Sequence, residues 1–402
     1  MNNYYKRDIE AAVTENLSNN KALIITGMRR VGKTTLLRKI FGDIRSENKI
    51  WFDFENPLDI KYFEDIDYNG VYQNLIGKGL NKNQRMYVFI DEVQNYPEIS
   101  KIAKYLIDHY DIKFILTGSA SYYLKNLFPE SLAGRKILFE LYPLNFKEFL
   151  LFKKNDAENY NRFAAKKTIK EIEYKQYDKL YEEFINWGAF PEVVLENNLE
   201  TKRKLLEDIF SSYFQKEIVN LADYRKINKI RDLILLLSAR TGSRLDLTKL
   251  SQELQLTRKT VYSYLSFLEA TYFIHSISRF SKNIDRQISG TQKIYFCDNG
   301  ILKIISQMAA GISRISEGQL FENAVYNQLK TKGMISYYKS AANVEIDFIL
   351  NKETAYEAKI TATSSDINHL KRMAKRLKLK NFYVISRNYI QEDKDVVFAQ
   401  FL

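Results

Sequence analysis

The sequence predicts an α/β protein whose first third is built on a parallel sheet, and three observations carry that prediction. Apolar runs of strand length, Ala22-Leu23-Ile24-Ile25, Met86-Tyr87-Val88-Phe89-Ile90 and Phe114-Ile115-Leu116, alternate with helix-forming segments. That is the pattern of strands covered by helices on both faces. Each run ends in a polar cluster, at Thr26-Gly27, Asp91-Glu92 and Thr117-Gly118-Ser119, where ligands of such sheets sit beyond the carboxyl ends of the strands. The first run leads without a gap into Gly27-Met28-Arg29-Arg30-Val31-Gly32-Lys33-Thr34 and then a helix-forming segment, Leu36 to Ile40.

Size and composition bound the rest. A chain of 402 residues, 45% of them hydrophobic, is long enough for two to four domains with real cores. The net charge of +12 favours a polyanionic partner, and a composition rich in Lys, Asn, Ile and Tyr accounts for the same excess equally well. One cysteine, Cys297, excludes a disulfide framework and a cysteine-rich zinc site. The three histidines, His109, His275 and His369, are scattered. The segment Met1 to Arg7 lacks the apolar core of a secretory signal, and no apolar run has the length of a membrane span. The expectation is a cytoplasmic protein with no membrane partner.

Taken in order, residues 8 to 18 read as a lead-in helix before the first strand. The segment after that strand fits G-x-x-x-x-G-K-[ST], the phosphate-binding loop of nucleoside triphosphatases. Its glycines let successive backbone N–H groups converge on phosphate oxygens, helped by the positive end of the following helix. The nucleotide, expected to be ATP, is assigned to Gly27, Arg29, Arg30, Val31, Gly32, Lys33, Thr34 and Thr35. Lys33 would reach the β and γ phosphates and the Thr34 hydroxyl would ligate Mg²⁺. Lys49 to Phe54 alternates like a strand and stops at Asn56-Pro57. Asp91, at the next strand end, would hold Mg²⁺ through its water shell, and Glu92 would orient or deprotonate the attacking water. Thr117 or Ser119 could bond that water or the γ phosphate.

These residues resemble the AAA-type branch of P-loop ATPases, which place a Glu beside the Mg²⁺-associated Asp. Together with Ile90-Asp91-Glu92-Val93-Gln94, Leu116-Thr117-Gly118-Ser119, and Gly134-Arg135 followed by Leu144-Asn145-Phe146-Lys147-Glu148-Phe149, they are similar to a bacterial and archaeal family. Its members join an AAA-type ATPase to a C-terminal domain of unknown function. The resemblance implies an ATPase core over residues 1–140. Such ATPases often stabilise phosphate charge with an arginine supplied in cis or by a neighbouring subunit. Arg135 is the candidate here, with a plain solvated loop arginine as the alternative. A homo-oligomer is accordingly a possible partner state.

Residues 141–225 read as a charged helical lid or connector, with Asn145 an N-cap for Phe146 to Phe152. Residues 226–290 read as a winged-helix module. Leu247, Leu250 and Leu254 share one helix face, as do Val261, Leu265 and Leu268 on the next helix. Arg258, Lys259 and Tyr262 start the opposite face, suited to phosphates and base edges. Phe273 to Ile277, followed by Arg279, Lys282 and Arg286, would form a basic wing. DNA is the expected partner, with protein contact as the alternative use of such a module.

Residues 291–402 hold a second candidate site. A helix predicted from Gln319 to Leu329 carries Glu322, and Ser336 to Lys339, Val344 to Leu350 and Thr354 to Ile360 read as strands. A helix, Asp366 to Leu379, and a strand, Phe382 to Ile385, follow. Alternation puts Glu357 and Lys359 on one strand face, with Asp347 able to point at the same space. Asp347 and Glu357 could hold Mg²⁺ or Mn²⁺ through hard oxygen ligands, with Lys359 positioning water and Glu322 completing the shell. A plain cross-strand Glu–Lys pair would look the same. The arrangement resembles the restriction-endonuclease-like fold, with its Asp, its Glu-x-Lys and its upstream Glu. The leading expectation is an ATPase coupled to a DNA-facing winged helix and a nuclease-like domain that is either active or inert. Its rival is an ATP-dependent protein–protein switch.

Overall fold

The computed structural model describes residues 4–118, 134–155, 157–219, 227–281, 290–309, 315–340, 344–391 and 393–402. Ser119, Lys282 and Arg286 lie outside the described residues. The chain divides into two compact units, Met1–Tyr142 with Ala270–Tyr272, and Pro143–Glu269 with Phe273–Leu402.

In the first unit β1 (Ala22–Thr26), β2 (Lys49–Asp53), β3 (Met86–Asp91), β4 (Ile112–Gly118) and β5 (Lys136–Glu140) form an all-parallel sheet in the order β2-β3-β4-β1-β5. Burial explains the unbroken apolar runs: every residue of β1 and of β4 is buried, because helices cover both faces. On one face Ile24, Val88, Ile90, Phe114 and Leu116 form a core with neighbouring helical side chains. The helix following β3, Ile99–His109, contributes Ile99, Ile102, Ala103 and Leu106 at helical spacing. The helix after β1, α1 (Lys33–Asp43), buries Leu36, Leu37 and Ile40 and packs on β3 and β4. Each such side chain contributes about 1.5–3 kcal/mol by leaving water. At the base of β4, the buried Lys113 ammonium donates to the carbonyls of Asn16, Asn19 and Lys21 at 2.7, 2.9 and 2.6 Å. It ties down the turn that precedes β1.

The second unit begins with α2 (Phe146–Phe152), closed by the predicted N-cap. Asn145 accepts from the Glu148 N–H at 2.9 Å while the Glu148 carboxylate accepts from the Asn145 N–H at 3.1 Å. The helix Glu171–Trp187 buries Tyr174, Tyr177, Tyr181 and Phe184 as one stripe. Then come α3 (Leu247–Leu254) and α4 (Arg258–Ala270), burying Leu250 and Leu254, and Val261, Leu265 and Leu268.

A mixed seven-stranded sheet follows, made of β6 (Ile274–Arg279), β7 (Lys293–Phe296), β8 (Ile335–Lys339), β9 (Glu345–Leu350), β10 (Thr354–Lys359), β11 (Asn381–Ser386) and β12 (Val396–Phe398). Its order is β12-β11-β10-β9-β8-β6-β7. The strand expected in a wing, β6, pairs antiparallel with β7 and parallel with β8, so the sheet runs across the domain boundary expected at residue 290. Asn351, Lys352 and Glu353 make the three-residue turn from β9 to β10, with Asn351 and Lys352 at positive φ and the Glu353 N–H on Leu350 O at 3.0 Å. One helix, α5 (Glu317–Leu329), brings Tyr326 to stack on Tyr295 at 4.4 Å. Another, α6 (Ser364–Leu377), packs Ile367, Leu370, Met373 and Ala374 with Ile346, Ile349, Ala355 and Val384. Among the described residues no helix is long and apolar enough to cross a membrane.

Candidate functional site

The loop between β1 and α1 is shaped by two glycines at positive φ, Gly27 at 152° and Gly32 at 99°. A Cβ on Gly27 would stand 2.1 Å from Leu141 O, so only glycine fits that approach. Lys33 is buried and donates to the carbonyls of Gly27 and Met28, each at 3.0 Å, which brings its ammonium inside the loop. Thr34 is half-buried in the first turn of α1, Val31 is buried, Arg29 is half-buried, and Arg30 and Thr35 are exposed. Arg7 was not anticipated. Its guanidinium donates to Val31 O at 2.8 Å and to Tyr142 O at 2.7 Å, bracing the loop with charge-assisted bonds worth about 1.5–3 kcal/mol each. A lone arginine near the start of a chain carries no sequence signal for that role.

Beside the loop, Asp91 is only 4% exposed. Thr117 donates its hydroxyl to Asp91 Oδ1 and accepts from the Glu92 N–H at 3.3 Å. Thr117 therefore stands against the carboxylate expected on the metal side. Glu92 adopts a left-handed backbone, φ 55° and ψ 47°, at a cost of about 1–3 kcal/mol, and its carboxylate accepts from the Gln94 amide. Gln94 lay in the quoted motif without an assigned role. The strand order explains the gathering: β3, β4 and β1 are adjacent, so their carboxyl ends open onto one crevice. A nucleotide with Mg²⁺ fits this donor set, since Mg²⁺ takes few protein ligands beside phosphate and water.

Arg135 is not brought to the crevice. It immediately precedes β5, whose first residue, Lys136, pairs with Ala22 at the start of β1, and its guanidinium pairs with Asp108. The length of β1, about 16 Å at 3.3 Å per residue, separates that edge from the loop. An arginine before a parallel strand lies opposite a loop after one, a signal the sequence did contain.

In the second unit Glu322, Asp347, Glu357 and Lys359 do come together, and Glu322 and Asp347 meet a residue that sequence reasoning missed. Lys293, on β7, is 2% exposed and places its ammonium 2.6 Å from Glu345, 3.3 Å from Glu322 and 3.5 Å from Asp347. Tyr295 donates to Glu322 at 2.7 Å, Lys339 pairs with Glu345 at 3.2 Å, and Lys359 pairs with Glu357 at 2.9 Å. Asp347 also accepts from the Ala358 N–H at 3.0 Å. Gly242 abuts Glu322: a Cβ there would lie 3.0 Å from both carboxylate oxygens. Burial, then the Asp347 charge, pushes Glu322 up to about 7 and Glu357 up to about 8. Burial also works against ionising Glu345, but Lys293 and Lys339 outweigh it and hold that carboxyl below its usual range. Glu357 Oε2 is buried without a hydrogen-bond partner, which a neutral carboxyl tolerates best. Among the described residues no three His, Cys, Asp or Glu side chains are arranged to hold a metal ion. The donor set around Lys293 does not fit the expected Mg²⁺ or Mn²⁺.

The winged-helix candidates are split. Arg258 and Lys259 are exposed at the start of α4, with Tyr262 62% exposed beside them. Arg279 donates to Lys339 O instead.

Comparison with known proteins matches the chain in three segments. Residues 19–150 match the family model described as an AAA domain. Residues 178–311 and 317–400 match two models described as domains of unknown function, DUF8612 and DUF4143. The chain thus carries an AAA-type P-loop ATPase domain followed by two domains of unknown function, and the match supports ATP binding. An uncharacterized protein of Methanocaldococcus jannaschii is 29% identical over 93% of this chain and 82% of its own length. One of Haemophilus influenzae is 27% identical over 82% of this chain and 79% of its own. Among solved structures, the Aeropyrum pernix ORC1 protein in complex with DNA overlaps 76% of this chain and 94% of its own at 12% identity and a TM-score of 0.30, too loosely to speak to function.

Proposed function

We propose that the protein binds Mg·ATP in the loop between β1 and α1, hydrolyses it, and uses the nucleotide state to control a DNA-facing helix, α4. The observation that carries the ATPase reading is the meeting of Asp91, Glu92 and Thr117 at the strand ends beside the loop, with Glu92 bonded to Gln94. In this reading Lys33 would hold the β and γ phosphates, while Thr34 and Asp91 would hold Mg²⁺, which would neutralise phosphate charge. Thr117 keeps Asp91 in place. Glu92 orients the attacking water and takes its proton. Arg135 enters only if a second copy presents it, and turnover per chain would then rise with protein concentration.

DNA binding is supported by exposed Arg258, Lys259 and Tyr262 at the start of α4 and by the charge of +12. A second reading, a protein–protein switch with an inert nuclease-like domain, is favoured by Lys293 among the carboxylates and by Arg279 on Lys339 O. The two separate on ATP turnover measured with and without duplex DNA across a salt series. Stimulation that fades steeply with salt, and fades in Arg258→Ala/Lys259→Ala, supports the DNA reading. Turnover indifferent to DNA leaves the switch. No turnover in the wild type, or turnover undiminished in Lys33→Ala, removes the ATPase assignment.

A further inference from the structure

We infer that Lys293 is the resident cation of the C-terminal carboxylate cluster, standing in place of a divalent metal, so that this domain cuts no nucleic acid. The inference does not depend on the ATPase reading.

Three carboxylates from two elements, Glu322 of α5 and Glu345 and Asp347 of β9, surround the ammonium at 2.6 to 3.5 Å. Those spacings suit N–H···O contacts. Mg²⁺ requires oxygens at about 2.0–2.1 Å and Ca²⁺ at about 2.3–2.6 Å, each with six or more ligands. Metal entry would therefore require the side chain to leave as well as the carboxylates to close in. Lys293 is only 2% exposed and is held where it is. Lys293 pairs through its backbone with Ile277 and Arg244, and its ammonium lies 5.7 Å from the Tyr337 ring centre. A divalent ion beside a retained ammonium would face like-charge repulsion in a site largely closed to water.

The other groups are committed in the same sense. Tyr295 donates to Glu322, Lys339 pairs with Glu345, the Ala358 N–H donates to Asp347, and Lys359, the residue expected to position water, pairs with Glu357. Among the buried side-chain atoms described in this cluster, Glu357 Oε2 is left without a partner, and one oxygen does not make a cation site. Removing Lys293 would leave three carboxylates facing a vacated volume, a far better metal site than the native one.

The test is Mn²⁺ binding to the full, nucleotide-free chain, read from the electron paramagnetic resonance signal of free Mn²⁺. Wild type should leave the signal undiminished beyond weak surface binding. Lys293→Gln should gain one Mn²⁺ per chain, and Lys293→Gln/Asp347→Asn should lose it again. A wild-type site that Asp347→Asn abolishes overturns the inference, as does a folded Lys293→Gln chain that binds no Mn²⁺. Should Lys293→Gln not fold, melting of the wild type decides. Added Mn²⁺ should leave its midpoint where it was, and a rise that Asp347→Asn removes sinks the proposal. Plasmid nicking by wild type with Mg²⁺ or Mn²⁺, lost in Asp347→Asn, would overturn it too.

Discussion

Gly27→Ala places one methyl group at the tightest point of the phosphate loop. The methyl carbon would stand 2.1 Å from Leu141 O, where ordinary contact begins at 3.4 Å, so the two must part by about 1.3 Å. Leu141 cannot yield freely, because its N–H donates to Thr26 O at 2.7 Å and the next carbonyl, Tyr142 O, accepts from Arg7 at 2.7 Å. The loop must move instead, and φ 152° is itself strained for alanine. A displacement of that size takes backbone N–H groups out of reach of phosphate oxygens. Losing a hydrogen bond to a charged phosphate oxygen costs about 1.5–3 kcal/mol, about 10- to 150-fold in affinity, and overpacking lowers stability by about 1–3 kcal/mol. Equilibrium binding of a fluorescent ATP analogue, beside a urea melt, reads both. A folded Gly27→Ala chain that binds the analogue as wild type does would refute the account of the loop.

Four other substitutions test other parts. Glu92→Gln keeps the size of the side chain and removes its basicity, so ATP should still bind while single-turnover hydrolysis slows about 100- to 10,000-fold; an unchanged rate takes Glu92 out of the mechanism. Arg7→Met deletes the bonds to Val31 O and Tyr142 O, and ATP affinity should fall about 10-fold or more, with equal affinity in the binding titration arguing against a bracing role. Asn145→Ala removes one half of the box that opens α2 and should lower unfolding free energy by about 1 kcal/mol in urea; an unshifted midpoint would show the cap to be idle. Asp298 is buried and pushed up to about 6 from an ordinary 3.8, burial outweighing its bonds from the Ala189 and Ile301 N–H groups. The folded state then keeps a proton that the unfolded state releases, so this group's contribution to stability falls as pH rises between those values. The change approaches about 3 kcal/mol and should appear as a pH-dependent gap between wild type and Asp298→Asn; a gap independent of pH contradicts it.

Most strands were legible because burial forces a local pattern, although the short β7 (Lys293–Phe296) and β12 (Val396–Phe398) were not read. Ala22 to Ile25 and Met86 to Ile90 are continuous apolar runs since both sheet faces are covered, and β9 and β10 lie where alternation set them. The loop was legible because backbone curvature demands glycine at fixed positions. Long-range charge pairing left no comparable trace. Lys293 reads as a lysine opening a short apolar run, and only the folded sheet brings it to Glu345, 52 positions later. Arg7 and Tyr142 O illustrate the same gap. Strand order was likewise hidden, since adjacency in a parallel sheet depends on how the crossovers pack. That order puts β6 beside β8 and runs the sheet through the boundary that the winged-helix reading had set at residue 290.

The position of β1 also governs when the loop can exist during synthesis. An interior strand, β1 is made before both of its neighbours, β4 and β5, which leave the ribosome much later. Until Ile112–Gly118 and Lys136–Glu140 have been made, β1 has no neighbour on either side, and its unpaired backbone is a template for any other strand. The brace from Arg7 closes on Tyr142 O, so a nascent chain ending before that residue cannot lock the loop. Nucleotide would then select for completed first units, stabilising them by mass action as they emerge and shortening the interval in which an apolar edge is open to aggregation.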